Sequence, residues 1–341
     1  MQPDISIIIP LHNRGDIVRY TLESVRRASS GLTVEVIIVD DGSDPPVADS
    51  IAKLGYHPER ILRQANRGLL FARLAGLSAA GGRHVLFLDS DDLISPDKLR
   101  LHVAALEAAS ADVSYSDTAQ CVLEGSQDAL SIRPDCALAN TEDCAELFIR
   151  IQPAPHSPVF RTAFIRRVVA EALFPPSPHY NPVAEIWFYH NAAIRPARVV
   201  KVHGPHAIVG RHPGARLTDH WEILGVASLG VQEAFARHCP IIPETEQARR
   251  LAAEKAFVSW RRLPIGFSPE FARRQLAIWR RLQTAGSLDR LGGRFFQVLA
   301  HAIGPVGAAQ LLRLVQGRPY QRVRTMDNAR FRDLLAALPE S

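Results

Sequence analysis

Short apolar segments recur through the first third of the chain. The three clearest are ISIII (residues 5–9), VEVIIV (34–39) and HVLFL (84–88). A run that is apolar at nearly every position, instead of at every second one, is typical of a strand buried on both faces of a sheet. These segments therefore predict the central strands of a covered sheet.

Segments with helical periodicity separate and follow these strands. Apolar residues fall on one face of each predicted helix, at a spacing of three or four residues. The three sets are Val18, Leu22 and Val25; Leu70, Leu74 and Leu77, which Gly81 and Gly82 follow; and Leu99, Val103 and Leu106, for which Ser95 and Pro96 predict an N-cap and a first helical residue. The alternation predicts an α/β fold with a parallel sheet and crossover helices, in which ligands bind at the carboxyl ends of the strands.

Polar clusters stand at those strand ends. They are PLHNRG (residues 10–15), DDGSD (40–44) and DSDD (89–92). Each cluster alone is compatible with a turn, but three of them at one edge of a sheet indicate a ligand site. In DSDD the carboxylates of Asp89, Asp91 and Asp92 repel one another unless a cation lies among them, so this segment predicts a metal site. The alternative is a structural turn whose repulsion stays uncompensated.

Composition places the chain among ordinary soluble globular proteins. With 341 residues, 47% of them hydrophobic, it can form one large domain or two smaller ones. The four cysteines lack paired spacing, which favours reduced thiols in a cytoplasmic protein. The N-terminus lacks the pattern of a signal peptide. No membrane span is expected, because polar residues and a proline interrupt the longest apolar tract, 295–315; they are Gln297, His301, Pro305, Gln310 and Arg313.

Charge is distributed unevenly along the chain. Residues 216–341 contain 19 Arg and Lys against 11 Asp and Glu, a net charge of +8, whereas the chain before them carries −3. The basic part also shows helical patterns in which arginine alternates with tryptophan and phenylalanine. Such helices are usually just solvated on their basic face. The sequence therefore predicts a second, basic helical region from residue 216.

Three segments resemble glycosyltransferase family 2 in order and spacing. They are SIIIPLHN (6–13), VIIVDDGSD (36–44) and NRGLLFARLAGLSAAGGRHVLFLDSDD (66–92). The resemblance implies a GT-A fold, a mostly parallel central sheet flanked by helices, for an inverting glycosyltransferase. It implies a GT-A domain over 1–215, with a donor nucleotide-binding half (1–110) and an acceptor half (111–215), followed by a helical C-terminal extension (216–341). The resemblance is close to about residue 110 and thins beyond about 150; nothing in the last third is similar to the family.

The resemblance also assigns residues to the donor. Pro10, His12 and Asn13 match positions that line the base pocket, and Asp41 matches the aspartate that accepts a hydrogen bond from uracil. Arg73 matches an arginine that reaches the nucleotide, although LAG follows it where the family often has NAG. For Arg73 the alternative is a solvated helix face.

The segments DSDD and VGRHPG are expected to hold the metal and the diphosphate. Asp89 and Asp91 match the family's DxD motif, and side chains two apart on an extended strand point the same way. The resemblance implies Mn²⁺ or Mg²⁺ bridging to the diphosphate, with Asp91 as direct ligand and Asp89 contacting ribose or metal-bound water. Asp92 is expected to cap the following turn. In VGRHPG (209–214), Arg211 is expected to pair with phosphate and His212 to complete the metal site.

The segment AEIWFYHNAA (184–193) resembles the part of the family that supplies the catalytic base. The match puts Glu185 at the base position, but Ala184 replaces the second member of the family's acidic pair. An inverting transfer needs such a base to take the proton of the acceptor hydroxyl. The alternative is an ordinary first-turn glutamate that the helix dipole favours. The QxxRW motif of processive relatives does not occur, which favours transfer of a single sugar.

The partners follow from these assignments. The expected donor is a nucleotide sugar, with UDP as the favoured nucleotide, and the acceptor is a saccharide or a lipid-linked saccharide. Because no nucleic-acid motif accompanies the basic helices, contact with the anionic inner face of the membrane is the preferred interpretation of their charge, and nucleic acid is not an expected partner.

Two other functions stay open. A non-catalytic nucleotide-sugar-binding subunit fits the altered base motif. A sugar nucleotidyltransferase would need a glycine-rich basic phosphate loop after the first strand, and PLHNRGD is a poor match to one.

Overall fold

The computed structural model describes residues 2–214, 219–283 and 290–339. The chain divides into two structural units. The first consists of residues 1–172 and 176–214, and the second of residues 173–175 together with the chain after Gly214.

One nine-stranded sheet forms the frame of the first unit. The strands are β1 (Ile5–Leu11), β2 (Val34–Asp41), β3 (Arg60–Gln64), β4 (His84–Phe87), β5 (Leu93–Ile94), β6 (Val113–Val122), β7 (Arg133–Cys136), β8 (Val159–Arg161) and β9 (Val199–Arg211). Their order is β3-β2-β1-β4-β8-β6-β9-β5, and β7 pairs with β6. Strands β3, β2, β1 and β4 are mutually parallel, as are β6 and β9, while β8 runs antiparallel to β4 and β6. The predicted mostly parallel sheet is confirmed.

Helices cover both faces of this sheet. They are α1 (Val18–Ala28), α2 (Ala48–Lys53), α3 (Leu69–Ala79), α4 (Lys98–Ala108), α5 (Thr162–Ala170) and α6 (Ala184–Ala192). The apolar faces of α1 and α4 share one core with the side chains of Ile5, Ile7 and Ile9. Helix α3 packs on the other face, where Gly76 allows its backbone to approach Ile8 and Val39. The periodicity therefore predicted α1, α3 and α4 correctly.

Two local features differ from the sequence expectations. Ser95 does not cap α4: the N-cap residue is Asp97, and the Ser95 hydroxyl lies 2.7 Å from His206 Nδ1 of β9. A tertiary hydrogen bond has replaced the local cap. Strand β3 has no clear sequence signal, because its residues, RILRQ, lie at the sheet edge and are partly exposed.

Helices alone make up the described part of the second unit beyond residue 219, apart from short turns and one isolated bridge. The helices are α7 (Trp221–His238), α8 (Pro243–Arg261), α9 (Pro269–Leu282), α10 (Arg294–Gln316) and α11 (Asn328–Ala336). Aromatic rings form much of its core. Phe257 lies within 4.8–6.0 Å, between ring centroids, of Trp260, Trp279 and Phe296.

Several arginines of the second unit make contacts inside the unit. Arg274 of α9 forms a two-pronged ion pair with Glu233, at 2.6 and 2.8 Å, and Arg249 of α8 is only 6% exposed and donates to the carbonyl oxygen of Cys239. For Arg249 and Arg274, the interpretation of the arginine-rich pattern as a solvated or membrane-facing surface is therefore wrong.

Helix α10 differs from the expectation that no segment could span a membrane. By length and composition, Arg294–Val315 is long and apolar enough to do so, with a mean hydropathy of 1.4 and 17% of its 18-residue apolar window buried. The helix is interrupted, however, because Gly304 has a φ of 75° and Pro305 follows it.

Candidate active site

The loops after β1 and β2 are tied together at the carboxyl edge of the sheet. The Asn13 amide oxygen accepts a hydrogen bond from Asp44 N at 2.9 Å, and Asn13 N donates to the Ser43 hydroxyl at 3.0 Å. His12 and Asn13 are exposed beside this junction, while Pro10 is buried in β1 opposite Val39. The three residues predicted to line the base pocket therefore lie together at the carboxyl edge of the sheet.

Asp41 is largely occupied by contacts within the protein. It is 4% exposed and accepts hydrogen bonds from the Gln64 side chain at 2.7 Å, from Arg67 N at 2.9 Å and from Gly68 N at 2.8 Å. A carboxylate has about four acceptor positions. Three are therefore used to brace the loop between β3 and α3, and one is left for a ligand such as a base.

Asp91 lies between an arginine and a histidine side chain. The Arg14 guanidinium donates to Asp91 Oδ2, and His212 Nε2 lies 3.2 Å from the same oxygen. His212 was predicted from the sequence, whereas Arg14 was not. The available signal was its place in the segment PLHNRG, directly after Asn13, at the carboxyl end of β1.

The end of β9 is held against the DSDD turn. Asp92 Oδ1 accepts a hydrogen bond from Gly210 N at 3.0 Å, and Asp92 Oδ2 lies 2.9 Å from His156 Nδ1. A Cβ atom at Gly210 would overlap the carbonyl oxygen of Asp91. Asp92 therefore does more than cap a turn, because it fixes the strand that delivers His212 to Asp91.

Asp89 and Asp91 were expected to face one site because side chains two apart on an extended strand point the same way. This expectation is wrong. Strand β4 ends at Phe87, and both aspartates lie beyond it, where Asp92 N donates to Asp89 O at 3.1 Å and closes a turn. The two carboxylates consequently face different cations. Asp89 pairs with Arg73 at 2.6 Å, while Asp91 pairs with Arg14.

Arg73 is the link between the DSDD turn and Glu185. It is 1% exposed, and its Nη1 lies 3.8 Å from Glu185 Oε2. The alternative of a solvated helix face is therefore wrong for Arg73. Burial opposes the charge of Arg73, but the carboxylates of Asp89 and Glu185 outweigh that effect and raise the pKa of the guanidinium. A charged arginine thus joins the two carboxylates.

Glu185 stands in the first turn of α6 with 27% of its side chain exposed. Burial raises the pKa of Glu185 above its ordinary value, against the opposing charge of Arg73. The aromatic residues after it hold the helix in place: Phe188 packs on Phe87 of β4 at 5.1 Å between ring centroids, and the Tyr189 hydroxyl donates to Pro153 O at 2.9 Å. Glu185 is thus a mostly buried carboxylate on a helix held by aromatic packing, and part of its side chain is accessible to a ligand.

Asn181 was not found from the sequence. Its side-chain oxygen accepts a hydrogen bond from Leu70 N at 3.0 Å, in the first turn of α3, and its side-chain nitrogen donates to Arg67 O at 2.9 Å. The segment before Glu185 is thereby fastened to the loop that Asp41 braces. No sequence signal distinguishes Asn181 from an ordinary turn residue.

The donor set for a metal is partial. Within residues 2–214, 219–283 and 290–339, no three His, Cys, Asp or Glu side chains converge on a common point that could hold a metal ion. Asp91 and His212 converge as a pair. A site of one carboxylate and few other protein ligands fits Mg²⁺ or Mn²⁺ that is held jointly with substrate phosphates. Arg211 is exposed at the end of β9, directly before His212.

The central sheet and its flanking helices identify the fold class. The fold is similar to that of S. aureus TarS 1–349 in complex with UDP-GlcNAc, with a TM-score of 0.63, 16% sequence identity and coverage of 93% of each chain. At this identity the likeness concerns the fold, which is of the GT-A type.

Sequence comparisons identify the family. The family model "Glycosyl transferase family 2" matches residues 6–174. The succinoglycan biosynthesis protein ExoO of Rhizobium meliloti is 35% identical over 124 residues, which are 36% of this chain and 35% of that protein. The uncharacterized glycosyltransferase alr2836 of Nostoc sp. is 31% identical over 177 residues, 51% of this chain and 54% of that protein. The chain thus matches about a third to a half of the length of these relatives, and its first unit belongs to glycosyltransferase family 2.

Proposed function

We propose that this protein is an inverting, metal-dependent glycosyltransferase that moves a single sugar from a nucleotide sugar, with UDP as the nucleotide, to a saccharide or lipid-linked acceptor. The observation that carries the proposal is the arrangement of two carboxylate groups around the DSDD turn at the carboxyl edge of the sheet. Asp91 pairs with Arg14, while Asp89, two residues before it, pairs with Arg73, which also lies 3.8 Å from the partly exposed Glu185, whose pKa burial raises. The protein would act in the cytoplasm, at the inner face of the membrane.

Donor binding is assigned to the loops after β1 and β2. His12 and Asn13 would line the base pocket beside Pro10, and Asp41 would offer its remaining acceptor position to the uracil ring. Asp91 and His212 would hold Mn²⁺ or Mg²⁺ together with the diphosphate. The bound cation would neutralise the charge that develops on the leaving diphosphate. Arg14 lies close enough to Asp91 to contribute a second positive charge there, and Arg211, exposed at the end of β9, would pair with phosphate.

Glu185 is assigned the role of catalytic base. Its carboxylate would accept the proton of the acceptor hydroxyl while the hydroxyl oxygen forms a bond to the anomeric carbon. The bond from that carbon to the diphosphate oxygen breaks at the same time, and the nucleotide leaves with the electron pair. A pKa raised by burial makes the carboxylate a stronger proton acceptor. Arg73, with Asp89 on its other side, would orient Glu185.

One pair of variants tests this proposal. Asp91→Ala should abolish Mn²⁺-dependent UDP binding, whereas Glu185→Gln should bind UDP and Mn²⁺ normally and transfer sugar at least about a hundredfold more slowly, because a positioned base acts only on the acceptor side. Calorimetry and a transfer assay across nucleotide sugars measure the two effects. Exposed Asp97→Asn, on the turn before α4, is the control.

Three results would contradict the proposal. Unchanged UDP affinity in Asp91→Ala removes the metal role of Asp91. Transfer at the original rate by Glu185→Gln makes Glu185 a structural residue. Absence of transfer by the unmutated protein to every acceptor tested, with normal UDP binding, favours a nucleotide-sugar-binding subunit.

A further inference from the structure

Helix α10 presents large apolar side chains to the outside. Eleven large hydrophobic residues are exposed among the described residues, and six of them lie on this one helix. We call these six the α10 apolar face: Phe295 (70% exposed), Val298 (72%), Ile303 (52%), Leu311 (45%), Leu314 (73%) and Val315 (75%). Single exposed apolar residues are normal on a protein surface, but a concentration of this kind marks an interaction site.

The opposite face of α10 is packed. Phe296 is 2% exposed and lies 6.0 Å from Phe257 of α8 between ring centroids; Ala300, Ala308 and Ala309 are also buried. Both halves of the helix, before and after Gly304, therefore have one face fixed in the second unit. The outward residues Phe295, Val298, Leu311 and Leu314 follow the spacing of three that keeps neighbours on one side of each half. The exposed face is thus a supported surface.

The charged residues in the sequence around this face are all basic, although Arg290 Nη1 lies 3.8 Å from Glu254 Oε2 of α8. Between Arg290 and Met326 the sequence has six arginines and no aspartate, glutamate or lysine. Five of the six are exposed in the structure: Arg290, Arg294, Arg318, Arg322 and Arg324. Apolar residues flanked by arginines suit the boundary between the headgroups and acyl chains of an anionic bilayer. A second copy of this chain is a poorer occupant, because it would set arginine against arginine.

We infer that the α10 apolar face lies in the surface of an anionic membrane, parallel to its plane. A spanning helix needs about 20 continuous residues. The break at Gly304 leaves two shorter segments, 294–303 and 305–316, and the packed residues Phe296, Ala300 and Ala309 tie both segments to the second unit. This inference deepens the inner-membrane location named in the proposed function but does not rest on the catalytic part of it: it requires no donor, metal or acceptor, and it assigns the membrane contact to α10.

Vesicle sedimentation with the full chain tests the inference. The double variant Val298→Gln with Leu314→Gln removes two apolar side chains from the face and keeps every charge. The matched control is Ile241→Gln with Ile242→Gln, which changes two exposed isoleucines (83% and 46%) before α8 in the same unit. The probes are phosphatidylcholine vesicles with and without phosphatidylglycerol, and the thermal unfolding midpoint of each variant checks that it is folded.

The unmutated protein and the control should sediment with the anionic vesicles. The α10 variant should partition on the order of a hundredfold more weakly, about tenfold for each apolar side chain that no longer enters the membrane. Added salt should weaken binding of the unmutated protein without abolishing it, because salt screens the arginine attraction and leaves apolar burial in place.

Four results would overturn the inference. The first is equal loss of binding in both double variants. The second is absence of binding by the unmutated protein to anionic vesicles. The third is a dimer of the unmutated protein that the α10 variant dissociates, which would make the face an interface between copies. The fourth is retention of the protein in native membranes after alkaline extraction, which would indicate a spanning helix. Failure of sugar transfer leaves the vesicle result unaffected, so the two proposals fail separately.

Discussion

At the scale of single residues, the neighbours of Asp91 determine how a cation could bind. Arg14 and His212 both contact its Oδ2, and the Arg14 side chain is 32% exposed. A divalent cation that binds Asp91 through Oδ2 must therefore displace a guanidinium. A partly exposed ion pair of this kind contributes about 0.2–1 kcal/mol, which corresponds to an affinity change of up to about fivefold.

Arg14→Gln is thus expected to raise the affinity for Mn²⁺ in the absence of nucleotide by about two- to fivefold. Isothermal titration calorimetry of the variant against the unmutated protein measures the change. Arg211→Gln removes the same charge from a nearby position that does not contact Asp91, and it should leave Mn²⁺ affinity without nucleotide unchanged. Equal effects of the two variants would mean that Arg14 acts only through its charge, not through competition at Asp91.

Lys98 makes the stability of the protein depend on pH. It is fully buried in α4, where its Nζ donates to Ser157 O at 2.8 Å and lies 3.3 Å from His102 Nε2, and among the described residues it has no carboxylate ion pair. Burial lowers the pKa of Lys98 well below its ordinary value. Between that lowered pKa and the ordinary one the unfolded chain binds more protons than the folded chain, so the free energy of unfolding rises as pH rises through this window.

Lys98→Met should therefore flatten the rise in unfolding temperature from about pH 8 to about pH 10, a range above the ordinary pKa of histidine, so that His102 does not contribute. Differential scanning calorimetry at several pH values measures the slope. Lys53→Met, at an exposed position of α2, should keep the original slope. A Lys98→Met slope equal to that of the unmutated protein would show that Lys98 is charged in the folded state.

At the scale of elements, the approach of β9 to the DSDD turn determines whether His212 reaches Asp91. The approach is possible because residue 210 lacks a Cβ atom, which would otherwise overlap the Asp91 carbonyl oxygen, and because Asp92 accepts the hydrogen bond of Gly210 N. Backbone cannot yield as a flexible side chain can. Any larger residue at position 210 must therefore move the strand end away from the turn.

Gly210→Ala should lower Mn²⁺-dependent UDP affinity by at least about tenfold and destabilise the fold by about 1–3 kcal/mol, the usual cost of an overpacked site. Calorimetry of binding and chemical denaturation measure the two effects. Gly81→Ala is the control, since the nearest atoms to a Cβ there would be those of the Glu35 carboxylate, at ordinary contact distances of 3.5–3.9 Å. Normal UDP affinity in Gly210→Ala would show that His212 does not need this strand position.

At the scale of the whole molecule, the candidate active site and the α10 apolar face belong to different units. All the assigned site residues, from Pro10 to His212, lie in the first unit, and α10 lies in the second. Each surface is built from contacts within its own unit. The two activities should therefore be separable by mutation.

We expect Val298→Gln with Leu314→Gln to leave Mn²⁺-dependent UDP affinity unchanged, and Asp91→Ala to leave partition onto anionic vesicles unchanged. The two variants and the unmutated protein are each measured in both assays, by calorimetry and by sedimentation. Loss of UDP binding in the α10 variant, with its unfolding midpoint intact, would contradict the separation.

The sequence by itself determined the frame and the position of the site. Continuous apolar runs and helical spacing predicted β1, β2, β4, α1, α3 and α4, because local chain geometry and burial dictate those patterns. The polar clusters at the strand ends then placed a site at one edge of the sheet, and motif resemblance assigned its residues. The sequence pattern did not predict edge strand β3, because a partly exposed strand need not be continuously apolar.

Only the tertiary structure decided which of those residues meet. The contacts that build the candidate site join distant parts of the chain, and no periodicity encodes them. They are Arg14 with Asp91, Arg73 with Asp89 and Glu185, and Asn181 with the start of α3. The same holds for arginine in the second unit, where Arg274 pairs internally with Glu233. The residue type in a sequence does not say whether a side chain is buried or exposed. Its role depends on the residues that folding brings into contact with it.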